Sequence, residues 1–244
     1  RRIRTPAMTT ILSVSPILLL GVSAFLFVHQ RQVSLTRLSF ASELSESQKT
    51  AVSSMVEAAR AGQLTRISDL SLLLKVLEKH RAAGDRAIVA NVAVRLAPEN
   101  EGFMLAAVDA IRESDGPDAA VDFCLTSIAH PDKAGAQLLL QAIRCAGESS
   151  RSAQAAGYLR ELSQRDTLTP QEFEECVGHS LASQQTELAK HFLTRFEQTS
   201  TERGGLRIRA LVALADNDRN LTEALCDEIV RESGDSSDSL LFAG

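Results

Sequence analysis

The chain contains no tryptophan and a single tyrosine, and aromatic residues make up only 4% of it. β-Sandwiches and barrels draw on rings and β-branched side chains. A core poor in rings and rich in alanine and leucine points instead to closely packed helices. Proline is scarce, at six residues, and most of the thirteen glycines fall between apolar-periodic runs. That distribution leaves the runs themselves free to be helical. Basic charge is not in excess: 26 Lys and Arg against 31 Asp and Glu give a net charge of −5. No nucleic-acid partner is expected of such a surface. The four cysteines, Cys124, Cys145, Cys176 and Cys226, contain no C-x-x-C pair, and no G-x-G-x-x-G, P-loop, G-x-S-x-G or H-E-x-x-H occurs. Carboxylate pairs such as Glu174-Glu175 and Asp227-Glu228 are adjacent on helical runs, and adjacent helical residues do not face each other. Cys176 and His179 lie at i, i+3 on one helix face and His191 falls on the next helix, but metal ligands are usually more tightly paired. No catalytic residue, cofactor or metal site is assigned, and the chain is read as a non-enzyme.

The longest uncharged run is near the start. Arg1, Arg2 and Arg4 in the basic flank 1–6 precede residues 7–28, from Ala7 to Val28, which carry no charge. A helix of that length spans roughly 30 Å, the hydrocarbon thickness of a bilayer. A cleaved signal peptide ending at Val22-Ser23-Ala24 is the competing reading. Because Phe25-Leu26-Phe27-Val28 carries the apolar run past that site, a retained single-pass anchor is favoured. Arg31 and Arg37 follow the span, so the positive-inside bias places the N-terminus in the cytoplasm and the rest outside it, in the periplasm if the source is bacterial. Residues 29–46 read as a polar juxtamembrane connector. Residues 47–62 read as an amphipathic helix capping the first repeat, with Val52, Met55, Val56 and Ala59 on one face and Gly62 as its stop.

From residue 67 to 238 the chain repeats itself. Leu70, Met104, Leu139, Phe173 and Ile208 form one column at spacings of 34, 35, 34 and 35. Leu73, Ala107, Ala142, Cys176 and Leu211 form a second, and Leu74, Val108, Ile143, Val177 and Val212 a third. A period of this size is the signature of stacked helical pairs. Turn residues split each unit: Ala83-Gly84-Asp85, Ser114-Asp115-Gly116-Pro117, Gly147-Glu148-Ser149-Ser150, Ser183-Gln184-Gln185 and Asp216-Asn217-Asp218. Thr169-Pro170 reads as an N-cap followed by proline at the first helical position. The second helices carry a column of small residues, Ala120, Ala155, Ala189 and Ala224, from which Arg86 in the first unit departs. Residues 239–244 look like the opening of one more helix.

On these columns the chain resembles the tetratricopeptide-repeat proteins, in five divergent units. None has the family's tryptophan, and Leu74, Val108, Ile143, Val177 and Val212 stand where glycine is usual. The resemblance implies an all-α solenoid with a concave groove lined by first helices that binds peptides or proteins. Carried over by register, the groove positions are Ser71, Lys75, Glu78, Leu105, Asp109, Arg112, Gln137, Leu140, Arg144, Gln171, Glu174, Leu181 and Arg209. Of these, Lys75, Asp109, Arg112, Arg144, Glu174 and Arg209 form the core of the site, suited to an extended peptide of some acidic character. The function expected is a membrane-anchored scaffold for protein–protein interaction or assembly. The alternatives are a structural subunit of a large membrane complex, or an accessory region of a longer enzyme.

Overall fold

The computed structural model describes residues 34–39, 41, 43–165, 167–199 and 205–233. The anchor 7–28, its basic flank and residues 239–244 lie outside the described residues. Among the described residues no helix is long and apolar enough to cross a membrane.

After residue 45 the described chain forms eleven helices. They are α1 (Glu46–Arg60), α2 (Ile67–Lys79), α3 (Ala83–Leu96), α4 (Glu101–Asp115), α5 (Pro117–Ser127), α6 (Ala136–Glu148), α7 (Ser152–Ser163), α8 (Pro170–Ala182), α9 (Thr186–Thr199), α10 (Gly205–Ala215) and α11 (Arg219–Ser233). No strand occurs among the described residues. Several starts are set by local chemistry. Ser45 and Gln48 close a capping box at α1, and Thr169 and Glu172 close another at α8, where Pro170 takes the first helical position. The Asn100 side chain accepts from the Phe103 amide at the start of α4.

Two compact units divide at Ala97 and Pro98. In the first, α2 and α3 form a helical hairpin and α1 packs chiefly on α3. Val52, Val56 and Ala59 provide its buried stripe. Residues 34–39, within the stretch read as a connector, form a helical segment that buries Leu35 and Leu38, and Lys79 Nζ donates to the Ser39 carbonyl at 3.2 Å.

The second unit is four helical pairs in two layers. The inner helices α4, α6, α8 and α10 pack directly on one another in order. Each outer helix packs on its own inner partner, and α5 and α9 also pack on the inner helix that follows. Outer helices meet each other less closely, so the stack is tighter on its inner side and that side is the hollow one. Of the fifteen column residues thirteen are buried, with Met104 and Leu211 half-buried. Each fully buried Leu, Ile or Phe contributes roughly 1.5–3 kcal/mol. Phe173 of α8 meets Phe192 and Phe196 of α9 edge to face, with centroids 6.5 and 5.8 Å apart. Gly205 opens α10 close to that cluster, where a Cβ would stand 3.0 Å from the Phe196 ring. On the outer side, arginines reach back one repeat to carbonyls: Arg165 donates to Pro131 and Arg195 to Ser163 and Arg165. At Ser163, the last residue of α7, a cation on an open helix-end carbonyl is favourable.

The repeat is also written in the backbone. All five helical hairpins close with the same hydrogen bond, from the residue after the bend to the carbonyl five positions earlier. The pairs are Ala82 to Leu77, Gly116 to Ile111, Arg151 to Ala146, Gln185 to Ser180 and Asp218 to Ala213, at 2.8–3.2 Å. This is the long bond of a Schellman cap. In four hairpins the bend residue is not glycine yet has positive φ: Arg81 (53°), Ser150 (58°), Gln184 (57°) and Asn217 (58°).

These bonds fix the register independently of the apolar columns, and in the fifth unit the two disagree. Ala213, not Ala215, accepts the closing bond. The core between α10 and α11 is built from Leu206, Ala210, Ala213, Leu225 and Ile229. Ile208 and Val212 are buried as well, on the side of α10 away from that cluster. Ala120, Ala155 and Ala189 are at most 1% exposed, but Ala224 is exposed, and by turn register Thr222 stands in its place.

Candidate functional site

The hollow side of the second unit is where the first-helix resemblance places a groove. On α6, flanked by inner helices on both sides, the uncovered stripe narrows to Gln137, Arg144, Gly147 and Glu148. Leu140, assigned to the groove by register, is 3% exposed and belongs to the core, because α6 is covered on both flanks. On α4 the stripe is Leu105, Asp109 and Arg112, all half-buried. On α8 it is Gln171, Glu174, Gly178 and Leu181. On α10 the turn register puts Arg207, Leu211 and Leu214 there. Arg209 faces the outer layer instead, where its Nε lies 2.7 Å from Glu197 Oε1 of α9. Ser71, Lys75 and Glu78 occupy the equivalent positions of α2 in the first unit, half-buried, exposed and exposed.

Side chains on the hollow side are joined to one another across the inner helices. Gln141 donates to Asp109 of α4. Arg144 donates to Gln141 at 3.0 Å and to Glu175 of α8 at 2.6 Å. Arg112 bridges Glu148 of α6 at 2.9 Å. The ladder therefore runs Asp109–Gln141–Arg144–Glu175, with Arg112–Glu148 beside it. Beside Glu175 stands His179. Burial first and the Arg144 guanidinium second push its imidazole below the ordinary value, against the pull of Glu175. Glu174 stands at the α8 edge of the ladder, half-buried.

This arrangement changes the reading of the groove. Arg112 and Arg144 each already hold a carboxylate, so the face is charge-balanced and not basic. What it offers is a rigid row of paired charges and amides, with Leu105 and Leu181 between them. The register of the resemblance placed Asp109, Arg112, Arg144 and Glu174 in the groove but passed over Gln141, Glu148 and Glu175, the amide and carboxylates that engage Asp109, Arg112 and Arg144. Their only signal was an offset of 31 to 36 residues from an oppositely charged or amide partner.

A second hollow, of roughly 300 Å³, lies between the starts of α4 and α6 and the loop after α5. Met104, Ile128 and Leu138 form its apolar wall, and Glu101, His130 and Lys133 its rim. Glu101 is committed to the Gly135 amide, which it pins at the start of α6.

Among the described residues no three of His, Cys, Asp and Glu come together as a metal site would require. Cys176 is fully buried, while the His191 ring lies 3.3 Å from the Ser163 carbonyl on the outer side. Burial pushes the thiols of Cys124 and Cys176 up to about 12 and that of Cys145 up to about 11. Thiols held that far from ionisation are packing groups, without nucleophilic character.

No protein-family model and no curated protein matches the chain. Among solved structures it is similar to the crystal structure of PilW, described as a widely conserved type IV pilus biogenesis factor. The match has a TM-score of 0.55 at 12% identity and covers 79% of this chain and 89% of PilW. At that identity the likeness speaks to the fold alone: among the described residues the chain is an all-helical array of stacked helical pairs.

Proposed function

We propose that this chain is a scaffold for protein assembly, tethered to a membrane by residues 7–28, with its repeats outside the cytoplasm. The observation that carries the reading is the stack of inner helices in the second unit. It presents a polar face of interlinked charges and amides across α4, α6 and α8. Additive contact along such a face is how solenoids bind partners. PilW, whose fold this chain shares, is itself described as a biogenesis factor, which supports a role in assembling a larger structure. The reading gives the chain no reaction, cofactor or metal of its own, and its partners are proteins and the bilayer.

The test is a pull-down of the tagged full-length protein from native membranes, after alkaline washing and crosslinking. The expected result is that the protein stays with the washed membranes and brings down a fixed set of proteins. A chain found in the wash with no reproducible partner overturns the reading.

A further inference from the structure

The second hollow, between the starts of α4 and α6, is built where the link between helical pairs is longest. Residues 128–135 separate α5 from α6, against 97–100 between α3 and α4 and 164–169 between α7 and α8. The extra chain is not slack. The Lys133 and Ala134 amides both donate to the His130 carbonyl, at 3.0 and 3.2 Å, and close a turn. Arg165 donates to the Pro131 carbonyl at 2.8 Å, and the Gly135 amide donates to Glu101. The loop is thereby held as one wall of a space of roughly 300 Å³ whose other wall is the start of α4. A long loop fixed on a rigid scaffold is a common place for a binding site.

Its floor and its rim differ in chemistry. Ile128 and Leu138, 8% and 1% exposed, make the floor with half-buried Met104, whose unbranched side chain adapts to what it meets. The charges stand on the rim. Glu101 is engaged by the Gly135 amide. Glu99, on the link into α4, and Lys133, on the link into α6, are exposed, and neither side chain has a hydrogen-bond or ion-pair partner among the described residues, the other included. The mouth therefore offers one uncommitted carboxylate and one uncommitted ammonium, from facing walls, above an apolar floor. A ligand with only an anionic group meets Glu99, and one with only a cationic group meets Lys133. A zwitterion with an apolar side chain suits both. The volume lies at the lower end of small-molecule sites, which fits a ligand of amino-acid size.

We propose that this hollow binds a free α-amino acid with a large apolar side chain, of the leucine or phenylalanine kind. The ligand's ammonium pairs with Glu99 and its carboxylate with Lys133, while its side chain lies on Met104, Ile128 and Leu138. Both ion pairs are at a wet rim, so each adds little and apolar contact carries most of the affinity. The charges decide which apolar molecule is held and in which orientation. The proposal goes beyond the scaffold reading and stands apart from it, since it needs neither a protein partner nor a bilayer.

The test is an NMR titration of the full-length protein in phospholipid nanodiscs, labelled with carbon-13 at the methionine methyls. The chain has three methionines, Met8, Met55 and Met104. Met104 lines the hollow, and Met55 belongs to α1 and does not. Phenylalanine and leucine should each move the Met104 methyl saturably and leave Met55 in place. N-acetyl-phenylalaninamide, which keeps the ring and lacks both charges, should bind about fivefold or more weakly. Glu99→Gln and Lys133→Gln should each weaken phenylalanine binding about threefold and leave the affinity for the blocked compound unchanged. The unmoved Met55 signal shows that both variants are folded. A Met104 methyl that does not respond overturns the proposal. So does equal affinity for the blocked compound, which would make the hollow an unselective apolar cleft. Full affinity for phenylalanine in both rim variants overturns the assigned roles of Glu99 and Lys133, and the proposal with them.

Discussion

Arg81, Ser150, Gln184 and Asn217 hold the least comfortable backbone among the described residues. A side chain in the left-handed region costs roughly 1–2 kcal/mol, least for asparagine. Each is kept there by the hairpin's closing hydrogen bond. Ser150→Gly and Gln184→Gly should therefore each stabilise the chain by about 0.5 to 1 kcal/mol, after the added freedom of the unfolded chain is subtracted. Asn217→Gly should gain less. Urea midpoints read the difference directly, and a loss of stability at Ser150→Gly would contradict the strained-cap account. The buried thiols make a second prediction at this scale. Unfolded thiols ionise near 9, while Cys124 and Cys176 in the fold are pushed up to about 12 and Cys145 to about 11. Between those values the folded chain holds protons that the unfolded chain releases, so stability is intact below pH 9 and declines as pH rises. The urea midpoint should fall from pH 8 to pH 10, and Cys→Ala at the three positions should flatten that slope. At pH 8 the native protein should react with a thiol reagent at Cys226 first, and at the other three only on unfolding.

At the scale of the element, the sequence shows helix existence and period clearly because both rest on side-chain burial. Leu70, Leu139 and Phe173 recur at helical-pair spacing and are buried. The Thr169-Pro170 start was legible because capping is local chemistry. The register of the fifth unit was not. Ile208, Leu211 and Val212 continue the columns in sequence, while the structure builds the α10–α11 core on Leu206, Ala210 and Ala213. A short helix buried on two sides is apolar in two registers, and burial alone does not choose between them. The hairpin bond at Asp218 does. That two-residue shift moves Arg209 out of the groove and Arg207 into it. Phe173 is the element-scale test of packing: Phe173→Ala should cost about 3–5 kcal/mol, since it empties the contact with both Phe192 and Phe196. The ladder behaves differently. Arg144 and Glu175 are part-exposed, so Arg144→Gln should cost no more than about 1 kcal/mol. A cost like that of Phe173→Ala would mean the ladder holds the fold together and is not merely a surface feature.

For the whole molecule, what the sequence shows is a candidate anchor, a repeat array and no chemistry, and these define a class of function more than a partner. The groove was half legible: its first-helix stripe follows from period, but the pairing of Arg112 and Arg144 with carboxylates one repeat on depends on how far the inner helices approach one another. That pairing makes the face a row of linked charges and amides, and it makes the location of binding the claim most worth testing. Photo-crosslinking residues placed singly at Gln137 and Gln171, on the hollow face, and at Ala153 and Arg160, exposed on α7, would settle it in native membranes. The account predicts that the full-length protein forms protein adducts from Gln137 and Gln171 and few from Ala153 and Arg160. Adducts from the α7 positions alone, or equally from both faces, would contradict it.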